Sequence, residues 1–192
     1  MKISSVGKIG LIAAGAMFVM IGAANAADRA FVGSAKCAVC HKTAAQGEQF
    51  PKWQASPHAK AYETLASAEA KDIGKKVGVD DPQTSDTCLR CHVTAHGVDA
   101  ALLGEKYAVT DGVGCESCHG AGADYIKKAT MEGVMSGTIE AASVGLTLPD
   151  AKTCEGCHND KSPTFKGFDF AKYAEKIAHP IPAERKAKYK AE

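Results

Sequence analysis

The chain has 192 residues, with 23 lysines and arginines against 22 aspartates and glutamates, a formal charge of +1. That balance excludes the strongly basic surface on which nucleic-acid binding depends. Six phenylalanines, five tyrosines and one tryptophan are too few for a chain of single-domain length to build its core from side chains alone.

The first feature in chain order is an export signal. Lys2 and Lys8 form a positive n-region, Ile9 to Ala24 is an unbroken apolar and small-residue run, and Ala24-Asn25-Ala26 reads as a cleavage site. The run falls short of the ~20 residues of a bilayer span, so no stable membrane anchor is expected. Residues 1–26 are read as a cleaved signal peptide and 27–192 as a single domain, periplasmic or extracellular. Without Lys2 and Lys8 the 23 basic residues become 21 against 22 acidic ones.

The first pair of cysteines stands in Cys37-Ala38-Val39-Cys40-His41. Ser56-Pro57 then reads as an N-cap with proline at the first helical position, opening a helix through about Lys76 over an alanine-rich stretch. Gly78 and Asp80-Asp81-Pro82 end it. Ser85 or Asp86 caps a short helix carrying Cys88-Leu89-Arg90-Cys91-His92. Tyr107 to Thr110 is the sole strand candidate. Cys115-Glu116-Ser117-Cys118-His119 lies among Gly112, Gly114, Gly120 and Gly122, read either as backbone close to a flat cofactor or as a flexible loop. Asp124 to Met135 reads as a helix stopped by Ser136-Gly137. Asp150 caps the segment carrying Cys154-Glu155-Gly156-Cys157-His158. Phe168 to Ala178 is a last helix, broken by His179-Pro180. The basic stretch Arg185 to Lys190 reads as a solvated terminus, with a docking patch as the alternative. The expected fold class is mainly α with much irregular loop.

All eight cysteines fall inside four copies of Cys-x-x-Cys-His, the attachment pattern of a c-type haem. Two thiols bond to the vinyl groups of one porphyrin, and the adjacent histidine lies under the iron. A thioredoxin-like pair or a zinc site does not explain a histidine after every second cysteine. A disulfide framework would not repeat a two-residue gap four times. The expected cofactors are therefore four covalently bound haems c. Their apolar faces would form much of the core, and the chain without them is expected to be largely unfolded. With eight propionates and four ferric centres the exported chain would carry a net charge of about −5.

Seven histidines less four in the motifs leave His58, His96 and His179. Such residues are ordinarily surface or hydrogen-bonded groups, but irons seek sixth ligands, so all three are candidate distal metal ligands beside His41, His92, His119 and His158. His96 follows His92 by four residues and on a continuing helix shares its face. It therefore serves either a different haem or a hydrogen bond near one. Three histidines cannot close four irons. The fourth is five-coordinate, water-bound or held by Met131, Met135, a lysine or the N-terminal amine.

In these residues the chain resembles the cytochrome c-554 family of tetrahaem carriers. The likeness rests on Trp53…Pro57-His58-Ala59-Lys60-Ala61, on Cys88 to Val93, on Gly112-Val113-Gly114-Cys115-Glu116-Ser117-Cys118-His119-Gly120, and on Phe168-Asp169 leading to His179. The resemblance implies a mainly helical fold with stacked haem pairs and an electron-transfer role. It also implies His58 opposite His119, His179 opposite His158, and a five-coordinate haem on His92. The family's distal ligand for the first haem follows the third motif, where this chain has no histidine. His96, or Met131 as the alternative, is expected opposite His41. Thr94-Ala95-His96-Gly97 and Ile177-Ala178-His179-Pro180 give a weaker likeness to outer-surface tetrahaem cytochromes of metal-reducing bacteria that form filaments.

The leading expectation is an electron carrier, not an enzyme, working between redox protein partners in a respiratory or extracellular chain. The alternatives are a homo-oligomeric filament subunit and reduction of a small nitrogen oxide at an open haem.

Overall fold

Short helices joined by turns make up the computed structural model, which describes residues 29–188; the segment 1–26, expected to be an export signal, and the last residues of the basic tail lie outside them. In chain order the helices are α1 Ser34–His41, α2 Gln49–Gln54, α3 Ala61–Thr64, α4 Ala68–Lys76 and α5 Asp86–His92, followed by α6 Cys115–His119, α7 Lys128–Ser136, α8 Ala151–Glu155, α9 Phe170–Ile177 and α10 Ala183–Lys188. Among the described residues there is no strand, only an isolated parallel bridge between Phe31 and Leu103. No helix among them is long and apolar enough to cross a membrane. Buried apolar side chains are few and scattered: Leu65, Val79, Val93, Ala121 and Tyr125, with Pro82 fully enclosed. Side chains alone leave the core thin, as the composition implies.

The protein is organised around the segment 112–120, which includes α6. Trp53 Nε1 donates to Val113 O at 2.8 Å, and Val113 N donates to His58 O at 3.0 Å. Thr94 Oγ1 donates to Gly112 O at 3.0 Å, accepts from Gly114 N at 2.7 Å and contacts Ser117 Oγ at 2.7 Å. Tyr125 donates to Gly120 O at 2.6 Å. Gly112 has φ 63°, and a Cβ there would run into the backbone at His58 and Ala61. The glycines flanking the third motif therefore serve close approach of neighbouring protein segments, and the flexible-loop reading is wrong.

Three local expectations need correction. The helix foreseen from Pro57 to Lys76 is a 3₁₀ turn Pro57–Lys60 followed by α3 and α4. Ser67 breaks it: its backbone is extended at φ −64° and ψ 156°, and its hydroxyl accepts from Ala70 N, capping α4. The alanines favour helix, but the local cap and burial of Leu65 at the break win. The strand candidate at Tyr107 to Thr110 is instead a 3₁₀ turn, Val109–Asp111, closed by Asp111 N to Ala108 O at 3.1 Å. The helix placed at Asp124 begins later, at Lys128, and ends as foreseen at Gly137 with φ 80°. Asp150 and Thr153 form the expected cap of α8, and Asp169 caps α9.

Thr94 ties the exit of α5 to the third motif through a buried hydroxyl. Thr94→Val leaves Gly114 N without that acceptor and is expected to cost about 1–3 kcal/mol. The check is a lower guanidinium midpoint for the cofactor-loaded protein, with Thr94→Ser staying near the parent.

Candidate haem sites

Each motif sits on or at the end of a helical turn. α1 carries Cys37, Cys40 and His41; α5 carries Cys88, Cys91 and His92; α6 carries Cys115, Cys118 and His119; and α8 carries Cys154, with Cys157 and His158 just beyond it. Helical spacing sets the cysteines three residues apart on one face with the histidine beside them. All eight cysteines are free thiols. Among the described residues no three His, Cys, Asp or Glu side chains converge as a metal-ion site.

The thiols of the four motifs influence one another in a definite order. Cys37 and Cys115 act on each other, and this, with burial, pushes the Cys37 thiol far up while holding Cys115 down. Cys118 is raised by burial and then by the charge of Cys154. Cys157 is pushed up to about 12 by burial and then by Cys91. These influences pair the first motif with the third, the third with the fourth, and the fourth with the second.

Two pairs of imidazoles face each other from distant parts of the chain. The His58 and His158 rings have centres 6.0 Å apart at 63°, and those of His119 and His179 are 6.0 Å apart at 73°. Two imidazoles on opposite sides of one metal have centres about 6 Å apart, given metal–nitrogen bonds of ~2.0 Å. The spacing fits an iron between each pair. Burial holds His58 and His119 below the usual imidazole range, favouring the neutral ring whose lone pair can bind metal.

Partners at Nδ1 orient the rings. His92 Nδ1 meets Ala61 O at 2.8 Å, His119 Nδ1 meets Thr147 O at 3.0 Å, and His179 Nδ1 meets Ile177 O at 2.8 Å. His41 Nδ1 meets the side-chain Oε1 of Gln49 at 3.3 Å. In each case Nε2 is left to point at a metal. The break after α3 contributes directly. Leu65 N bonds Tyr62 O rather than Ala61 O, which leaves the Ala61 carbonyl free for His92.

This arrangement corrects the pairing that the sequence resemblance implied. His58 faces His158, not His119, and His179 faces His119, not His158. His58 O is bonded to Val113 beside the third motif while its ring reaches the fourth; position along the chain reports the first contact and not the second. His96 is not set opposite His41. Its Nε2 lies 3.0 Å from Asp86 Oδ1 on the helix of the second motif, and among the described residues neither His41, His92 nor His96 has an imidazole stacked against it. Ala95, at φ 57°, turns the chain back to make this contact. Of the residues singled out in the sequence, the structure joins His58 and His179 to motif histidines and leaves His96 with a carboxylate. Gln49 and the carbonyls of Ala61, Thr147 and Ile177 carry no signal in the sequence.

Around the fourth motif a cavity of about 710 Å³ is lined by Cys157, His158, Ile73, Phe165, Phe168 and Tyr173 among others. Phe168 stacks on His158 at 4.8 Å and 15°, and Tyr173 stacks on Phe168 at 5.4 Å. A cavity of this size, with aromatic side chains in its wall and edged by a thiol and an imidazole, fits a porphyrin.

Paired thiols beside an imidazole, opposed imidazoles at metal-spanning distance and a core too sparse without a large apolar cofactor define a c-type cytochrome with covalently bound haem. Residues 36–120 match the family model described as cytochrome c554 and c-prime. The chain is 32% identical over 170 residues to cytochrome c-554 of Nitrosomonas europaea, covering 82% of this chain and 70% of that protein. No solved structure matches it significantly. The chain belongs to the cytochrome c-554 family, and electron transport is the role that goes with it.

The opposed rings generate a spectroscopic expectation for the oxidised protein. Electron paramagnetic resonance is expected to lose one low-spin ferric signal in His58→Ala and another in His179→Ala. His96→Ala is expected to leave the low-spin count unchanged.

Proposed function

We propose that the protein carries four haems c, one on each Cys-x-x-Cys-His motif, and passes electrons one at a time between redox protein partners outside the cytoplasm. Residues 1–26 support export, and residues 27–192 act as one domain. Haem iron supplies the one-electron ferric–ferrous couple. The remaining work belongs to the chain. Cys37 and Cys40, Cys88 and Cys91, Cys115 and Cys118, and Cys154 and Cys157 anchor the four porphyrins. His41, His92, His119 and His158 ligate from one side. His58 closes the fourth site and His179 the third.

The opposed imidazole pairs, His58 with His158 and His119 with His179, carry this reading. The mutual influence of Cys37 and Cys115, of Cys154 on Cys118 and of Cys91 on Cys157 supports an order of attachment points first, third, fourth, second. Porphyrins anchored there are near neighbours in that order, and electrons follow it rather than the sequence. His119 also feels His41 and His179 electrostatically, behind the effects of burial and Thr147 O, in keeping with adjacent first and third sites.

The order is tested by removing one haem at a time. Mass spectrometry of the unaltered protein is expected to give four haems per chain. Cys154→Ala with Cys157→Ala is expected to cut the second haem off from the others, splitting electron equilibration after pulse reduction into a fast and a slow phase. Cys88→Ala with Cys91→Ala is expected to leave a single fast phase among the three that remain. The same kinetics in both variants would overturn the order.

A further inference from the structure

We propose that Glu116 is a fixed negative charge shared by the haems of the first and third motifs, and that it lowers the reduction potentials of both. The proposal rests on the reading of these motifs as haem sites. Glu116 lies inside the third motif, between Cys115 and Cys118, and is only 4% exposed. Its carboxylate accepts three backbone N–H bonds: Val32 N at 2.8 Å and Gly122 N at 2.7 Å on Oε1, and Gly33 N at 2.8 Å on Oε2. Every one of these partners is a donor. A carboxyl proton would meet an N–H where it needs an acceptor, so the site is built for the anion.

Among the described residues no ion pair engages it, and Arg29 is paired with Asp124 at 2.8 Å. The charge is therefore held by amide dipoles in a poorly solvated place, where its field is screened far less than at the surface. Val32 and Gly33 lead directly into α1, which carries the first motif, while Glu116 itself belongs to α6. The field reaches both motifs: it adds to the rise of Cys37 behind the Cys115 contact and burial, and opposes the lowering of Cys115 by Cys37. Within the third motif the influence falls on Cys115 rather than Cys118, and none is found on Cys154 or Cys157 of the fourth.

The sign follows from the electron balance. Reduction adds one electron to an iron and lowers the charge of that haem by one, while the carboxylate keeps its own charge. A nearby anion therefore favours the ferric state and lowers the potential. A purely mechanical clamp would not discriminate between oxidation states.

The test is a potentiometric titration of Glu116→Gln and Glu116→Asp, each checked for four haems by mass. Glu116→Gln is expected to raise two of the four midpoint potentials by about tenfold in the reduction equilibrium, ~59 mV for a one-electron couple, and to leave the other two in place. Glu116→Asp, which keeps the charge, is expected to stay near the parent. Movement of all four potentials together, or of none, in a fully loaded Glu116→Gln protein would overturn the proposal. If that variant does not load, redox-difference infrared spectroscopy on the unaltered protein with ¹³C-labelled glutamate decides. A carboxylate stretch that shifts with two of the reduction steps supports the proposal, and the lack of any glutamate band sinks it. A parent protein without haem on the first or third motif would instead overturn the motif reading itself.

Discussion

Three amide N–H groups converge on the carboxylate of Glu116, and much of the molecule is arranged around that convergence. It fastens the entry of α1 and the exit of α6 to the same side chain. Hydrogen bonds to an ionised acceptor are roughly twice as strong as neutral ones, which suits a protein with few apolar contacts to spare. The Thr94 hydroxyl, the Trp53 indole and the Tyr125 phenol then grip the same segment from other sides. The third motif is thereby the centre of the fold. Its Cys115 acts on Cys37 of the first motif, its Cys118 feels Cys154 of the fourth, and its His119 faces His179 just beyond α9.

A fold held by polar clasps rather than by an apolar core follows from the demands of haem attachment. Each Cys-x-x-Cys-His motif needs little more than one helical turn, so helices need not be long, and the longest among the described residues span only nine. Short helices are marginal by themselves. Here they are capped, as at Ser67, Asp150 and Asp169, or pinned by contacts to other segments. The apolar faces that would ordinarily stabilise them belong to the cofactors. The exposed Val77, Phe165 and Tyr173 around the fourth motif's cavity illustrate this division, since they line the place a porphyrin would fill.

The sequence made the motifs legible because their chemistry fixes a spacing. It made caps legible where a side chain acts on backbone three residues away, as Asp150 does on Thr153. Wherever a contact crosses the chain, that legibility fails. Nothing near Ala61 announces that its carbonyl will hold His92, or that the helix must break so that it can. The pairing of His58 with His158 was hidden for a related reason: its backbone and its ring serve different motifs. Propensity also misled at Tyr107 to Thr110, where β-favouring residues close a 3₁₀ turn because Tyr107 must reach back to the Thr94 carbonyl. Glu116 could have been noticed as a lone acid inside a glycine-rich stretch, although two of its three amide partners, Val32 and Gly33, lie far from it in the chain.

The crossed imidazole pairing and the proposed haem order bear on each other. The two sites with opposed imidazoles are the third and fourth, the middle of the order, while His41 and His92 at its ends face no second imidazole among the described residues. Irons closed on both sides by imidazole are saturated, so the interior of the path can pass electrons without binding anything. Held by fixed rings, such irons need little rearrangement when they change oxidation state. Cys40 and the 71% exposed Val39 place the first motif at the surface. On the proposal above, a buried anion beside the first and third sites would make that half of the path the harder to reduce.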